Sequence, residues 1–164
     1  MTEHYLEDFV VGQKFGSGRL GIDAARIKSF AAEFDPQPFH LNEEAAKRSI
    51  LTLSRHSAPI RQTCLGLAAS GWHTAAITMR LLNESELKPA GGIVGVGCDE
   101  LKWPRPVQSG DELHVESEIL DVRQSRSQRE IGIVKMRTTT FNQSGEPVQI
   151  LAINIVVPRR GAVA

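Results

Sequence analysis

Residues 71–82 constrain this chain more than any other stretch. Trp72, Ala75, Ala76, Ile77, Met79, Leu81 and Leu82 leave almost no polar side on a run of helical length, and Ser70 stands where an N-cap belongs. A helix that is apolar on every side must be wrapped by other structure. The wrapping has to come from the second half of the chain, where residues 93–103, 111–123, 130–142 and 147–157 read as four long strands. In the second of these, Leu113, Val115, Ser117 and Ile119 alternate with Glu112, His114, Glu116 and Glu118, which marks a strand with one face in water. The last is apolar on both faces from Val148 to Val157, as a central strand should be. Turn signals separate them at Gln108-Ser109-Gly110-Asp111, at residues 124–129 and at Gln143-Ser144-Gly145-Glu146.

The first half is helical. Ile27, Phe30, Ala31 and Phe34 recur at helical spacing over 23–34, with Asp23 as the cap. Pro36 stops that helix and Pro38 is expected to keep the next segment extended. Asn42, followed by two glutamates, opens a second short helix to about residue 48. Helices followed by consecutive antiparallel strands make an α+β chain. One buried helix inside a strongly curved antiparallel sheet, the hot-dog arrangement, satisfies both halves. No repeat, charge block or linker divides the 164 residues, so the expectation is one domain over 1–164.

Composition excludes several classes of function. Lys plus Arg and Asp plus Glu are 19 each, so no overall basic charge favours nucleic acid as a partner. No apolar run reaches the roughly 20 residues that cross a bilayer, and the first residues carry no signal core, so no membrane partner is expected. Cys64 and Cys98 form neither a metal pattern nor a disulfide framework, and His4, His56 and His114 fit no ligand spacing. The reading is a cytoplasmic protein with reduced thiols and no metal site.

The segment that can carry chemistry is Glu33-Phe34-Asp35-Pro36-Gln37-Pro38-Phe39-His40. Asp35 sits just past a helix C-terminus, where the dipole opposes a negative charge, so its ionisation is expected to be disfavoured. Two prolines hold Asp35 and His40 in a set relation at little entropic cost. A carboxyl and an imidazole so placed can share one water as an acid/base pair. A turn aspartate beside an unrelated histidine accounts for the same spacing. Ser70-Gly71 is a second candidate: a first helical turn offers free N–H groups to a developing oxyanion, and Gly71 lets a carbonyl approach the backbone. His73, on the same helix, reads as a packed histidine.

The segment resembles the Gly-Asp-x-Asn-Pro-x-His signature of MaoC-like acyl dehydratases, the (R)-specific enoyl-CoA hydratase family. Asp35, Pro38 and His40 fall on its Asp, Pro and His, while Phe34 replaces the Gly and Gln37 the Asn. Ala69-Ser70-Gly71-Trp72-His73, Trp103-Pro104-Arg105-Pro106-Val107 and Ser109-Gly110-Asp111 extend the likeness, which covers residues 9–158 apart from about 50–64. It implies Asp35, His40 and the Gly71 N–H as the catalytic set, with Gln37, Phe39, Ser70 and Trp72 binding substrate. A supporting serine found further along this helix in some members aligns with Met79.

The implied reaction is reversible hydration of a trans-2-enoyl thioester to the (R)-3-hydroxyacyl thioester, on CoA or an acyl carrier, with no cofactor and no metal. The implied assembly is a homodimer or higher homo-oligomer, because a single hot dog leaves a sheet edge open. Two other readings share the fold: a non-catalytic acyl-thioester-binding protein, and a thioesterase. The thioesterase commonly needs a carboxylate on the buried helix, which 71–82 lacks. Residues 50–64 are an unusual insertion between His40 and Gly71, expected near the mouth of the substrate tunnel.

Overall fold

A computed structural model describes residues 3–49 and 66–161. The insertion at 50–64, with His56 and Cys64, lies outside the described residues. In chain order the elements are a 3-10 turn (Leu6–Asp8), β1 (Lys14–Gly16), β2 (Leu20–Gly21), α1 (Ala24–Phe34), α2 (Pro38–Leu41), α3 (Glu43–Lys47), α4 (Gly71–Glu84), β3 (Val94–Lys102), β4 (Glu112–Gln124), β5 (Ile131–Phe141) and β6 (Pro147–Pro158). The strands form one antiparallel sheet in the order β1-β4-β5-β6-β3, with β2 also paired to β4. Register shifts between Ile119 and Asp121 in β4, and at two places in β3, bend it.

Side chains from the inner face of this sheet meet α4. Leu113, Val115 and Ile119 of β4, Val134 and Met136 of β5, and Val148, Ile155 and Val157 of β6 are fully buried with Leu82 of α4. Ile77 and Leu81 join the same cluster. The helix therefore sits in a curved sheet, the hot-dog arrangement. β6 lies between β5 and β3 and is buried on much of both faces, which is why its sequence shows no polar side. Asp23 accepts from the Arg26 N–H at the start of α1, and the Ser70 hydroxyl accepts from the Trp72 N–H at the start of α4.

Three expectations are corrected here. The helix read as 71–82 runs on to Glu84, and it is not wrapped on every side. Trp72 is 61% exposed and Met79 37%, with Ala76 and Arg80 on the same open stripe. One sheet curves around one side of a helix, and an apolar residue on the other side stays in water unless a further layer covers it. Pro38 does not begin an extended segment. It occupies the first turn of α2, where a residue without an N–H costs a helix nothing. Phe34, read as part of the packed face of α1, is 62% exposed, while Ile27 and Ala31 are buried.

The N-terminal 3-10 turn closes the far end of the sheet. Glu7 pairs with Arg159 and Asp8 with Arg160, tying the two ends of the chain together. Leu6 covers Gly132, where a Cβ would collide with the Leu6 side chain and stand 2.7 Å from the Arg123 carbonyl oxygen of β4. Since that oxygen belongs to a paired strand and cannot swing away, Gly132→Ala is expected to destabilise the fold by about 1–3 kcal/mol. A denaturant titration measures it, and an unchanged midpoint would show that the turn is not seated on β5.

Candidate active site

The turn between α1 and α2 is dictated by its prolines. Asp35 ends α1, its N–H reaching the Ala31 carbonyl at 3.0 Å, and Pro36 has no N–H with which to continue. The Gln37 N–H then donates to the Asp35 carbonyl at 2.7 Å, and the single turn of α2 brings His40 round, its N–H on the Gln37 carbonyl at 3.0 Å. Asn42 follows and caps α3 by accepting from the Glu44 and Ala45 N–H groups.

This chain path brings His40 Nε2 to 3.5 Å from Asp35 Oδ2. His40 is buried and its Nδ1 lies 2.7 Å from the Ala68 carbonyl oxygen. A carbonyl can only accept, so Nδ1 carries the proton of the neutral ring and Nε2 presents a lone pair beside the carboxylate. Asp35 accepts two bonds of its own: from the Ser70 hydroxyl to Oδ2 at 2.6 Å, and from Gln37 Nε2 to Oδ1 at 3.1 Å. The Ser70 bond is the main cause holding the Asp35 carboxyl below its ordinary pKa, with the Gln37 bond adding to it against the opposing effect of burial. This corrects the expectation from the helix dipole. A charge-assisted hydrogen bond at contact distance outweighs the partial charge of a helix end.

Ser70 joins the two candidate sites. Its oxygen accepts from the Trp72 N–H at 3.2 Å while its hydroxyl proton goes to Asp35. The neighbouring Gly71 N–H meets no acceptor among the described residues and stays available at the positive end of α4. The reason for a glycine at 71 differs from the one expected. A Cβ there would stand 2.7 Å from an atom of the Trp103 ring, so the indole, rather than a ligand, occupies that side of the backbone. Trp72 meets Trp103 edge-on at 5.5 Å and is otherwise open, and Phe39 meets the His40 ring edge-on at 4.5 Å.

The sequence candidates therefore divide. Asp35, Gln37 and Ser70 share one hydrogen-bonded cluster with the His40 ring 3.5 Å from its carboxylate, Phe39 against the imidazole, and Gly71 and Trp72 at the adjoining helix start. His73 faces away from it, stacked on Phe30 at 4.6 Å, and burial pushes its pKa down. Four basic residues that could otherwise meet the phosphates of a thioester carrier have acidic partners: Lys102 pairs with Glu100, Arg105 with Glu146, Arg159 with Glu7 and Arg160 with Asp8. Glu84 lies in the last turn of α4, exposed and paired with Arg80. Among the described residues no three His, Cys, Asp or Glu side chains gather as metal ligands, and no helix is long and apolar enough to cross a membrane.

Two features escaped the sequence reading. The Ala68 carbonyl, which sets the His40 tautomer, is a backbone atom and leaves no mark in a sequence. Gln149 did leave one, as a lone polar residue in the otherwise apolar start of β6, and it is fully buried.

The fold and the sequence have known relatives. A family model described as the FAS1-like dehydratase domain region matches residues 9–151. The crystal structure of the MaoC-like dehydratase from Rhodospirillum rubrum is 51% identical, covers 96% of this chain and 98% of that one, and superposes with a TM-score of 0.84. R-Hydratase PhaJ1 from Pseudomonas aeruginosa, in its unliganded form, is 25% identical, with 95% and 86% of the two chains covered and a TM-score of 0.69. YdeM of Bacillus subtilis (strain 168) is 30% identical over 154 residues, 94% of this chain and 99% of that protein. The chain belongs to the MaoC-like dehydratase family of hot-dog proteins.

Proposed function

We propose that this protein is a hydro-lyase that adds water reversibly to a trans-2-enoyl thioester, giving the (R)-3-hydroxyacyl thioester, on CoA or an acyl carrier. The observation that carries this reading is the pair itself: a buried imidazole with its lone pair at Nε2, 3.5 Å from a carboxylate held ionised by Ser70. A water about 2.8 Å from both atoms donates one hydrogen bond to each, which leaves an oxygen lone pair free to attack. As the oxygen bonds to C3, His40 Nε2 takes the proton the water loses and the C2=C3 electrons move toward the thioester. The Gly71 N–H receives the charge that develops on the thioester oxygen. The pair, acting as one titrating unit, then returns the proton to C2 by way of Asp35, and both side chains end as they began. The thioester itself acidifies C2, so the sequence of steps uses only groups of the chain and water.

The same reading includes a second copy of the chain. β3 is an edge strand, paired only to β6, with Val94 53% and Val96 58% exposed. An open strand edge that carries exposed apolar side chains favours self-pairing over life in water. Val96→Lys is expected to shift the assembly from dimer to monomer in light scattering. A wild-type protein that is monomeric at micromolar concentration would remove this part of the reading.

Incubating the protein with but-2-enoyl-CoA tests the reaction. Loss of the conjugated enoyl absorbance without release of thiol is expected; thiol release would mean a thioesterase, and no change a binding protein. Asp35→Asn and His40→Ala are each expected to lower kcat by about 10²–10⁴-fold with the fold intact. Full turnover in either variant would assign the chemistry elsewhere.

The depressed pKa of Asp35 makes a separate prediction with a definite sign. Its carboxylate stabilises the fold above the unfolded pKa of about 4, and that contribution is lost as pH falls through the lower folded value. Asp35→Asn should therefore lose less stability than wild type as the pH drops below about 4. Parallel denaturant melts down a pH series measure the difference; identical slopes would mean the carboxylate is not held in its charged form.

A further inference from the structure

A second hydrogen-bonded cluster runs from the interior of the sheet to the edge of the Gly71 site. Gln149 is fully buried on β6. Its Oε1 accepts from Trp103 Nε1 at 2.8 Å and its Nε2 donates to Thr78 Oγ1 at 2.9 Å. Thr78 Oγ1 lies 2.9 Å from the Thr74 carbonyl and 2.7 Å from Thr140 Oγ1. Proton counting leaves one arrangement. The indole N–H can only donate, so the amide oxygen must face it and the amide nitrogen must face Thr78. Thr78 spends its one proton on the Thr74 carbonyl, so Thr140 donates to Thr78. Every member of the cluster is satisfied, and the indole is tied to β6 and, through Thr78 and Thr74, to α4.

The other end of that tether is the helix start. Side chains on a helix lean toward its N-terminus, the direction in which first-turn N–H groups also point. The Trp103 ring stands 2.7–3.0 Å from the point where a Cβ of residue 71 would be, and so lies at the lip of the Gly71 N–H. A thioester oxygen accepting from that N–H at about 2.9 Å would bring the atoms bonded to its carbonyl carbon, C2 among them, close to the indole.

We propose that Trp103 is a specificity-determining wall of the acyl-thioester pocket, excluding substituents at C2, and that Gln149 is a positioning residue that holds the indole in place. This rests on the reading that the Gly71 N–H receives the thioester oxygen. The chain thereby selects unbranched 2-enoyl thioesters over 2-methyl-branched ones, and it does so with a side chain that takes no part in proton transfer. Trp103 is 39% exposed, so its indole N–H could be solvated by water if it turned outward. The buried amide is what makes the inward orientation the better one.

The test compares kcat and KM on trans-but-2-enoyl-CoA and on its 2-methyl homologue for wild type, Gln149→Leu, Trp103→Phe and the double variant, with thermal melts alongside. Each single substitution is expected to raise the branched-to-unbranched ratio of kcat/KM by about 10-fold or more, the value of one methyl group in a pocket. For Gln149→Leu the unbranched substrate should lose kcat while KM changes little. The double variant should shift the ratio no further than either single one, because both remove the same contact. Lower melting temperatures with an unchanged ratio in the folded variants would overturn the proposal. If Gln149→Leu does not fold, Trp103→Phe decides alone. If wild type turns over neither substrate, the proposed reaction fails, and the wall is read instead by binding of butanoyl-CoA against 2-methylbutanoyl-CoA. Preference for the unbranched ligand in wild type, lost in Trp103→Ala, would sustain it; equal affinities, or no binding of either ligand, would overturn it.

Discussion

The Ser70 hydroxyl is the contact on which the site depends. Its proton goes to Asp35 at 2.6 Å and its oxygen takes the Trp72 N–H at 3.2 Å. One side chain thus caps the central helix, fixes the carboxylate of a turn 35 residues earlier, and depresses that carboxylate's pKa. The residue before the helix and the residue after α1 cannot move independently. Because Ser70 is almost wholly buried, the bond is not exposed to competition from bulk water, which is where such contacts are strongest. The Ala68 carbonyl two residues upstream orients His40 in the same way, so a single short segment entering α4 determines the ionisation of one partner and the tautomer of the other.

The interior of the sheet is less oily than its burial suggests. Ser117 and Thr138 face each other across β4 and β5 at 2.9 Å, and Thr78, Thr140 and Gln149 join α4 to β5 and β6. Apolar side chains of similar volume could fill this space in several registers. Hydroxyl and amide groups buried there are costly in any register but the one that pairs them, so they select how α4 sits along the strands. That selection matters at the helix start, where displacement along the axis would carry Gly71 away from both Trp103 and Asp35.

What remains uncovered is equally informative. Trp72 and Met79 are the large apolar residues left open on α4, and Val94 and Val96 those left open on the edge strand β3. Further along β3 the exposed surface is instead laced with ion pairs to β5, Asp99 with Lys135 and Glu100 with Arg137. The contrast separates a surface composed for water from one composed for contact with another apolar face.

Most of the fold was legible in the sequence because long elements announce themselves by period. The four strands of the second half and the helices at 23–34 and after Ser70 lie within a few residues of where alternation and capping place them. β1 and β2 were not legible: at three and two residues they are too short to show a period, and they exist only because β4 offers them an edge. The nearness of Asp35 and His40 was also legible, since both lie on one proline-braced turn and the geometry is local. The charge state of Asp35 was not, because its chief determinant, Ser70, is distant in sequence and acts only through a contact made on folding. For the same reason the sequence did not show Gly71 to be the seat of the Trp103 ring. Periodicity, caps and turns are readable along the chain because they depend on neighbours a few residues away. Which lone pair, which carboxylate oxygen and which ring meet at the site is settled on folding, because hydrogen bonds and van der Waals contacts act over a few ångströms of space whatever the distance along the chain.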